Sequence, residues 1–259
     1  MRIARFSSGD EPAYGVVGGA DGEEIIASIV GDPLYAGVEL TGEQVTLADV
    51  RLLAPVIPRS KVVCVGRNYA AHAEELGHDV PAAPLIFLKP NTSVIGPADP
   101  IVYPTQSSNV HFEGELAVVI SRICRDVPPE RTKDVVYGYT AGNDVTARDL
   151  QETDGQWTRA KGFDSFCPLG PWIETDFDPA DVEITTTLNG EIKQRGQTSL
   201  MMHDVPSIIA YVTSFMTLLP GDVILTGTPA GVGPMRPGDD VSVTVDGIGT
   251  LTNRVVSRG

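Results

Sequence analysis

The chain has 259 residues, 42% of them hydrophobic, with 19 Lys and Arg against 34 Asp and Glu for a formal net charge of −15. That length suits one large domain or a main domain with a small satellite, and the apolar content builds a substantial core, which excludes a disordered chain. The acidic surplus argues against general nucleic-acid binding, which uses basic patches to neutralise phosphates, although a local cluster of Arg and Lys can still hold a small anion. "MRIARFSSGDEPAYG" lacks the apolar core and cleavage site of a signal peptide, and "SIIAYVTSFMTLL" (207–219) is too short to span a bilayer. Cys64, Cys124 and Cys167 are odd in number, far apart and beside apolar segments. They read as reduced core residues of a cytoplasmic protein with no membrane partner.

In chain order, residues 1–57 read as a small β-rich domain. "RIARF", "AYGVVGG" and "EEIIASIV" are strand-like runs separated by Gly, Asp and Pro. The prolines of "LLAPVIPRS" (52–60) place a boundary, and residues 58–259 form the main domain. Its expected strands are "KVVCVG" (61–66), "LIFLKP" (85–90), "ELAVVI" (115–120), "VYGYTAGND" (136–144), "EITTTLNG" (183–190), "DVILTGT" (222–228) and "DDVSVTVDG" (239–247). "NGE" (189–191) signals a hairpin turn, and helices are expected over 69–76, 130–135 and 205–218. Strands outnumber helices and do not alternate with them, which disfavours a doubly wound parallel sheet. The expected fold is a β-rich α+β domain with a sheet rolled around a site.

Glu113 and Glu115 stand at the mouth of the apolar run "LAVVI" and point to one face, because side chains at i and i+2 of a strand do. At about 7 Å and an effective dielectric of about 20, two such charges repel by roughly 2 kcal/mol. A solvated strand end would tolerate the pair; a hard divalent cation would resolve it, since Mg²⁺ and Ca²⁺ take carboxylate oxygens. A third ligand is then needed, and Asp144 ends another strand, although an Asp there also suits a turn or a helix N-cap before "VTARDL". His111 and His203 with Glu113 offer a competing two-His, one-carboxylate iron site that leaves Glu115 unexplained.

"VGRNYAAHAEELGHD" (65–79) supplies a short helix with Asn68 as N-cap and Gly77 beyond its end. His72 and Glu75 then lie at i, i+3 on one face, either a surface pair or a histidine general base oriented by a carboxylate. Lys161, beside a Gly and two aromatics, is a candidate anion ligand, and the Gly-rich "LTGTPAGVGP" (225–234) offers backbone N–H groups and the Thr228 hydroxyl. No G-x-S-x-G elbow, H-E-x-x-H pair or P-loop is present.

Taken together, "VCVGRNYAAHAEE", "FLKPNTSVIGP", "HFEGELAVVI", "GNDVTARDLQ", "WTRAKGFDSFCPLGPW" and "LTGTPAGVGP", in that order over residues 60–255, resemble the fumarylacetoacetate hydrolase family, in particular its short bacterial and acylpyruvase-like branch. The resemblance implies a mixed β-roll with a small N-terminal β domain, and Mg²⁺ or Mn²⁺ held by Glu113, Glu115 and Asp144. It implies a His72–Glu75 dyad on a mobile helix and an active-site Lys161. Arg67, Lys89 and Thr228 are implied near the substrate. The activity implied is enolate chemistry on a 2-oxo acid: hydrolysis of an acylpyruvate or isomerisation of 2-hydroxyhepta-2,4-diene-1,7-dioate, as in small catabolic members. The alternatives are oxaloacetate decarboxylation or tautomerisation, and a non-catalytic protein that binds metal and oxo acid. A homodimer is the oligomeric state the family implies.

Overall fold

The computed structural model describes residues 1–9, 11–20, 22–75, 77 and 81–258. The expected β-rich α+β fold is what it shows: among the described residues twelve strands join in one sheet, with smaller sheets of three and five strands and few, short helices. In the large sheet the order runs Leu40–Thr46, Ile25–Ile29, Ala13–Gly18, Arg2–Ser7, Cys167–Glu174, Val136–Asn143, Gly114–Ile120, Val223–Leu225, Val62–Gly66, Leu85–Lys89. Most neighbours are antiparallel, while Val223–Leu225 runs parallel to Val62–Gly66, so the sheet is mixed.

Gly114–Ile120 lies near the middle and is buried along its whole length, which is why residues 116–120 are a continuous apolar run without polar alternation. Leu116, Val118 and Ile120 enter one core cluster while Ala117 and Val119 enter another. The strand is sandwiched, and the glutamates at its start are carried inward with it. The first strand of the N-terminal segment pairs with the main body, Arg2 opposite Glu174 and Ile3 opposite Ile173, so residues of 1–57 extend the same sheet. The hairpin expected at 189–191 joins Glu183–Leu188 to Glu191–Gln197, with positive φ at both Asn189 and Gly190 as a tight two-residue turn requires.

Three local expectations change. Residues Pro129–Asp134 form a 3₁₀ helix, not an α-helix. The helix expected over 205–218 spans Val205–Phe215; it is capped by Asp204, whose side chain accepts from Ser207 N, and it ends early because Leu218 exchanges backbone hydrogen bonds with Cys124. Asp144 caps no helix: the helix Arg148–Asp154 has Ala147 at its N-cap. The helix expected over 69–76 spans Ala70–Glu75, and Leu76 lies outside the described residues, as do His78 and Asp79 of the same motif. All three cysteines are free and buried. Among the described residues, no helix is long and apolar enough to cross a membrane.

Candidate active site

The antiparallel pairing of Gly114–Ile120 with Val136–Asn143 puts Gly114 opposite Asn143, and Asp144 N donates to Glu113 O at 2.9 Å. This register brings Glu113, Glu115 and Asp144 to one place, each buried, with one oxygen from each within 4.8 Å of the others. Three carboxylates cannot be packed together in an apolar interior without compensating charge. Lys161 Nζ donates to Glu113 Oε2 and Asp144 Oδ2, both at 2.7 Å. Arg148 Nη2 donates to Glu113 Oε1 at 2.5 Å, and Lys89 Nζ to Asp144 Oδ1 at 2.5 Å and Val145 O at 3.1 Å. Gly227 N donates to Glu115 Oε2 at 2.7 Å.

The two glutamates differ electrostatically. Burial pushes the Glu113 carboxyl up, but Lys161 and Arg148 outweigh it and hold Glu113 well below the usual carboxylate range. Burial also pushes Glu115 up, the charges of Asp144 and Glu113 add to it, and the result is a carboxyl held well above its ordinary value. Lys161 is raised, because Asp144 and Glu113 outweigh the burial that opposes its charge. The donor set is all oxygen, and four of its oxygens are fixed by basic side chains, which is how ligating carboxylates are oriented around a hard divalent cation. The cluster fits such an ion.

His72 is buried with Nδ1 3.3 Å from Glu75 Oε2, and Glu75 also accepts from Gly231 N at 3.0 Å. His72 lines a small cavity of about 20 Å³ with Gly66, Arg67, Glu113, Arg148, Gln151, Trp157 and Lys161. His72, Lys161 and one carboxylate of the cluster therefore line one cavity. A far larger cavity, about 840 Å³, is lined by Tyr139, Phe177, Met201, Asp204 and others and contains none of these groups. Size does not mark the chemistry here. Arg67 lies in the small cavity with its guanidinium 5.9 Å from the Trp157 ring centre. Lys89 is fully enclosed against Asp144, acting on a carboxylate and not on the cavity. Thr228 Oγ1 donates to Gly114 O at 2.8 Å and accepts from Gln194 Nε2 at 2.7 Å, so its one proton is committed to the backbone.

Two expectations are corrected. Asn68 is not an N-cap: its Nδ2 donates to His203 O and Thr226 O, and its Oδ1 accepts from His203 N, tying the root of the helix to two other loops. The two-histidine iron site does not form. His111 Nε2 is bonded to Asn109 Oδ1 at 2.9 Å and, among the described residues, no histidine joins the acidic cluster. Burial, with Arg148 nearby, lowers the His111 pKa to about 4.

Sequence reasoning missed Arg148, which holds Glu113, and Gln151, whose Oε1 accepts from Arg148 Nη1 at 2.7 Å. Their signal was present in "GNDVTARDLQ", where Asp144 and Arg148 are four apart. It also missed Gln194, for which the local sequence carries no signal. Among the described residues, Arg148 Nε and Asn143 Nδ2 are buried donors without a partner, in two residues that already bond Glu113.

A β-rich mixed fold with a buried carboxylate trio that can hold a metal ion, and a His–Glu pair nearby, places the chain in a class of metal-binding β-rich proteins. The chain belongs to the fumarylacetoacetate hydrolase family: the family described as "Fumarylacetoacetate (FAA) hydrolase C-terminal" matches residues 61–256, and "Rv2993c-like, N-terminal" matches residues 1–55. It is 57% identical over 264 residues to Protein Rv2993c of Mycobacterium tuberculosis, covering 100% of this chain and 99% of that protein. It is 44% identical over 206 residues to Oxaloacetate tautomerase YcgM of Escherichia coli, covering 77% and 94%. Among solved structures it matches 5-carboxymethyl-2-hydroxymuconate delta-isomerase from Mycobacterium smegmatis with a TM-score of 0.93 at 53% identity over 100% of both chains. It matches fumarylpyruvate hydrolase from Pseudomonas aeruginosa in complex with Mn²⁺ and pyruvate with a TM-score of 0.74 at 36% identity, over 80% of this chain and 92% of that one.

Proposed function

We propose that this protein is a Mg²⁺- or Mn²⁺-dependent enzyme that relocates a proton on a dianionic 2-oxo acid, a keto–enol or double-bond isomerase. The observation that carries this is the charge balance of the buried cluster. Glu113, Glu115 and Asp144 face Lys89, Arg148 and Lys161, three against three. A divalent cation added to three ionised carboxylates leaves two positive charges to be met, and a dicarboxylate ligand meets them. The unpartnered donor Arg148 Nε, on a residue that lines the cavity beside Glu113, supports an anion there.

A cation held by the three carboxylates supplies Lewis acidity to the oxygens of a 2-oxo acid. The residues do the rest. Glu75 accepts from His72 Nδ1–H, which fixes the tautomer and leaves Nε2 to take the proton from one carbon and return it to another position. Lys161 and Arg148 keep Glu113 ionised and add positive charge where negative charge develops. In this reading the Ala70–Glu75 helix, which carries His72 to the cavity wall, moves to admit the substrate and closes to exclude water. One relative is named a tautomerase and one structural neighbour a delta-isomerase, and both names describe rearrangement without cleavage.

A second reading, hydrolytic C–C cleavage of an acylpyruvate, is favoured by the same dyad, because His72 oriented by Glu75 can instead take a proton from water. A substrate panel decides: enol and keto oxaloacetate, acetylpyruvate, fumarylpyruvate and the heptadienedioate, each with Mg²⁺, Mn²⁺ or EDTA. The proposal expects cation-dependent interconversion of oxaloacetate tautomers or diene isomers without loss of carbon. Faster cleavage of an acylpyruvate hands the assignment to hydrolysis, and carbon dioxide release to decarboxylation. No turnover of any member leaves a binding protein.

A further inference from the structure

We propose that Gln194 is a positioning residue that completes the hydrogen bonding of Gly114 where the sheet runs out of backbone, and so fixes Glu113 and Glu115 for the cation. The inference rests on the cation reading above and deepens it.

Along Gly114–Ile120, alternate residues turn their backbone groups toward the neighbour that leads into and out of Val223–Leu225. Ile120 N donates to Asp222 O at 2.9 Å, and Leu116 O accepts from Thr226 N at 3.1 Å. One step further that neighbour turns away at Gly227, where φ is +98° and a Cβ would lie 2.6 Å from Asn68 Cβ. The turn sends Gly227 N–H to Glu115 Oε2. Gly114, lying between the two glutamates, therefore faces a gap with both an N–H and a C=O to satisfy.

Side chains fill the gap. Gln194 Oε1 accepts from Gly114 N at 2.9 Å, and Thr228 Oγ1 donates to Gly114 O at 2.8 Å. Gln194 Nε2 closes the ring by donating to Thr228 Oγ1 at 2.7 Å, and its second proton goes to Pro229 O at 2.8 Å. Only an uncharged amide offers an acceptor and two donors from one tip; a carboxylate lacks the donors and an ammonium lacks the acceptor. Gln194 is fully buried within Glu191–Gln197, whose Glu191, Ile192, Lys193 and Arg195 are exposed, so the strand delivers this one polar group inward. On Gly114 itself a Cβ would lie 2.0 Å from Thr186 Oγ1, so the segment is also held from another side.

The test uses the full chain carrying Gln194→Met, which keeps the length and loses all three bonds, and Gln194→Glu, which keeps the acceptor for Gly114 N and loses both donors. Mn²⁺ affinity is measured by titration calorimetry at a temperature where the chelated proteins are folded, alongside their thermal melting in EDTA. Disturbing groups that orient metal ligands weakens affinity by about 10- to 100-fold, and that loss is expected for Gln194→Met and for Gln194→Glu, whose second oxygen meets Pro229 O in place of a donor. Thr228→Val combined with Gln194→Met should cost little more than either alone, because the ring acts as one unit. A fall in EDTA melting temperature with Mn²⁺ affinity within about twofold of the parent overturns the inference and leaves Gln194 a packing residue. Should Gln194→Met not fold, Gln194→Glu decides by the same criterion. A parent chain that binds no Mn²⁺ overturns the cation reading itself, and this inference with it.

Discussion

Lys161 Nζ stands 2.7 Å from Glu113 Oε2, a buried ammonium on a buried carboxylate, and the same nitrogen reaches Asp144 Oδ2. It binds two of the three carboxylates, through one oxygen of each. Removing one partner of such a pair costs about 3–5 kcal/mol, since the other is left charged and dry. Lys161→Met should therefore destabilise the chelated protein strongly, and Mg²⁺ should recover much of the loss by supplying the missing charge. Turnover should stay at least about 10²-fold down in both conditions, because the group facing the substrate is gone. Thermal melts with EDTA and with Mg²⁺ check this; equal destabilisation in both would mean that the lysine and the cation do not share the same carboxylates.

Glu115 gives the cation-free protein a pH dependence of stability whose sign can be worked out. Burial first, then Asp144 and Glu113, raise its carboxyl well above the ordinary 4.5. Above that value the unfolded chain has released the proton while the folded one keeps it, so stability falls as pH rises toward and through the raised value. Glu113, held below its ordinary value, has the opposite sign: its contribution is present above 4.5 and is lost as pH falls through its folded value. In EDTA, the melting temperature should decline as pH rises above 4.5 toward the raised value, and Mg²⁺ should stabilise more at the upper end of that decline. Glu115→Gln retains an acceptor for Gly227 N, so it should flatten that slope while abolishing Mg²⁺ stabilisation and turnover. A variant with the parent's slope would assign the pH dependence to other groups.

What could be read from the sequence follows from where each signal is stored. Glu113 and Glu115 stand out because carboxylates at the head of a wholly apolar strand contradict burial, and the contradiction is local. Asp144 is harder, since an Asp at a strand end also suits a turn, and only the register of Gly114 against Asn143 brings it across. Gln194 is invisible from its neighbours: "EIKQRGQ" reads as a solvated strand, and burial of that one amide depends on Thr228 and Pro229, more than thirty residues away. The family resemblance implied Lys89 near the substrate, but its service to Asp144 is a property of the fold. The strands with β-branched runs announced themselves, whereas Leu40–Thr46 is exposed almost throughout and carries no periodic apolar signal.

His72 separates catalysis from binding. Its ring meets Glu75 and shares a cavity with Glu113 and Lys161, yet among the described residues no histidine belongs to the acidic cluster. His72→Ala should lower turnover by about 10²- to 10⁴-fold, the usual worth of a positioned acid–base group, with Mn²⁺ affinity within about twofold of the parent. Glu75→Gln should reproduce part of the loss, because an amide no longer favours the same tautomer. Calorimetric Mn²⁺ titration beside steady-state kinetics checks both; parallel loss of affinity and rate in His72→Ala would make the imidazole a ligand or a structural group.

Asn68 controls the same helix from its root. It is 1% exposed, and its amide joins His203 N, His203 O and Thr226 O at 2.9, 2.9 and 2.8 Å. Thr226 in turn bonds Leu116 O on the strand that carries the glutamates, so one side chain links the Ala70–Glu75 helix to the carboxylate strand through a single intermediate. Asn68→Ala leaves one donor and two acceptors of the backbone without their partner, at about 1–3 kcal/mol for each group that water cannot reach. Water can enter the space that Ala leaves, so the expected loss is about 2–4 kcal/mol, a fall of roughly 4–16 °C in melting temperature for a chain of this size. Because the helix carries His72, turnover at saturating substrate should fall at temperatures where the variant is still folded. Asn68→Asp keeps the acceptor for His203 N but sets a carboxylate against two carbonyl oxygens, so it should be worse than Ala in stability. Melting curves for the three proteins check the order, and an Asp variant as stable as the parent would show that those carbonyls are free to turn away.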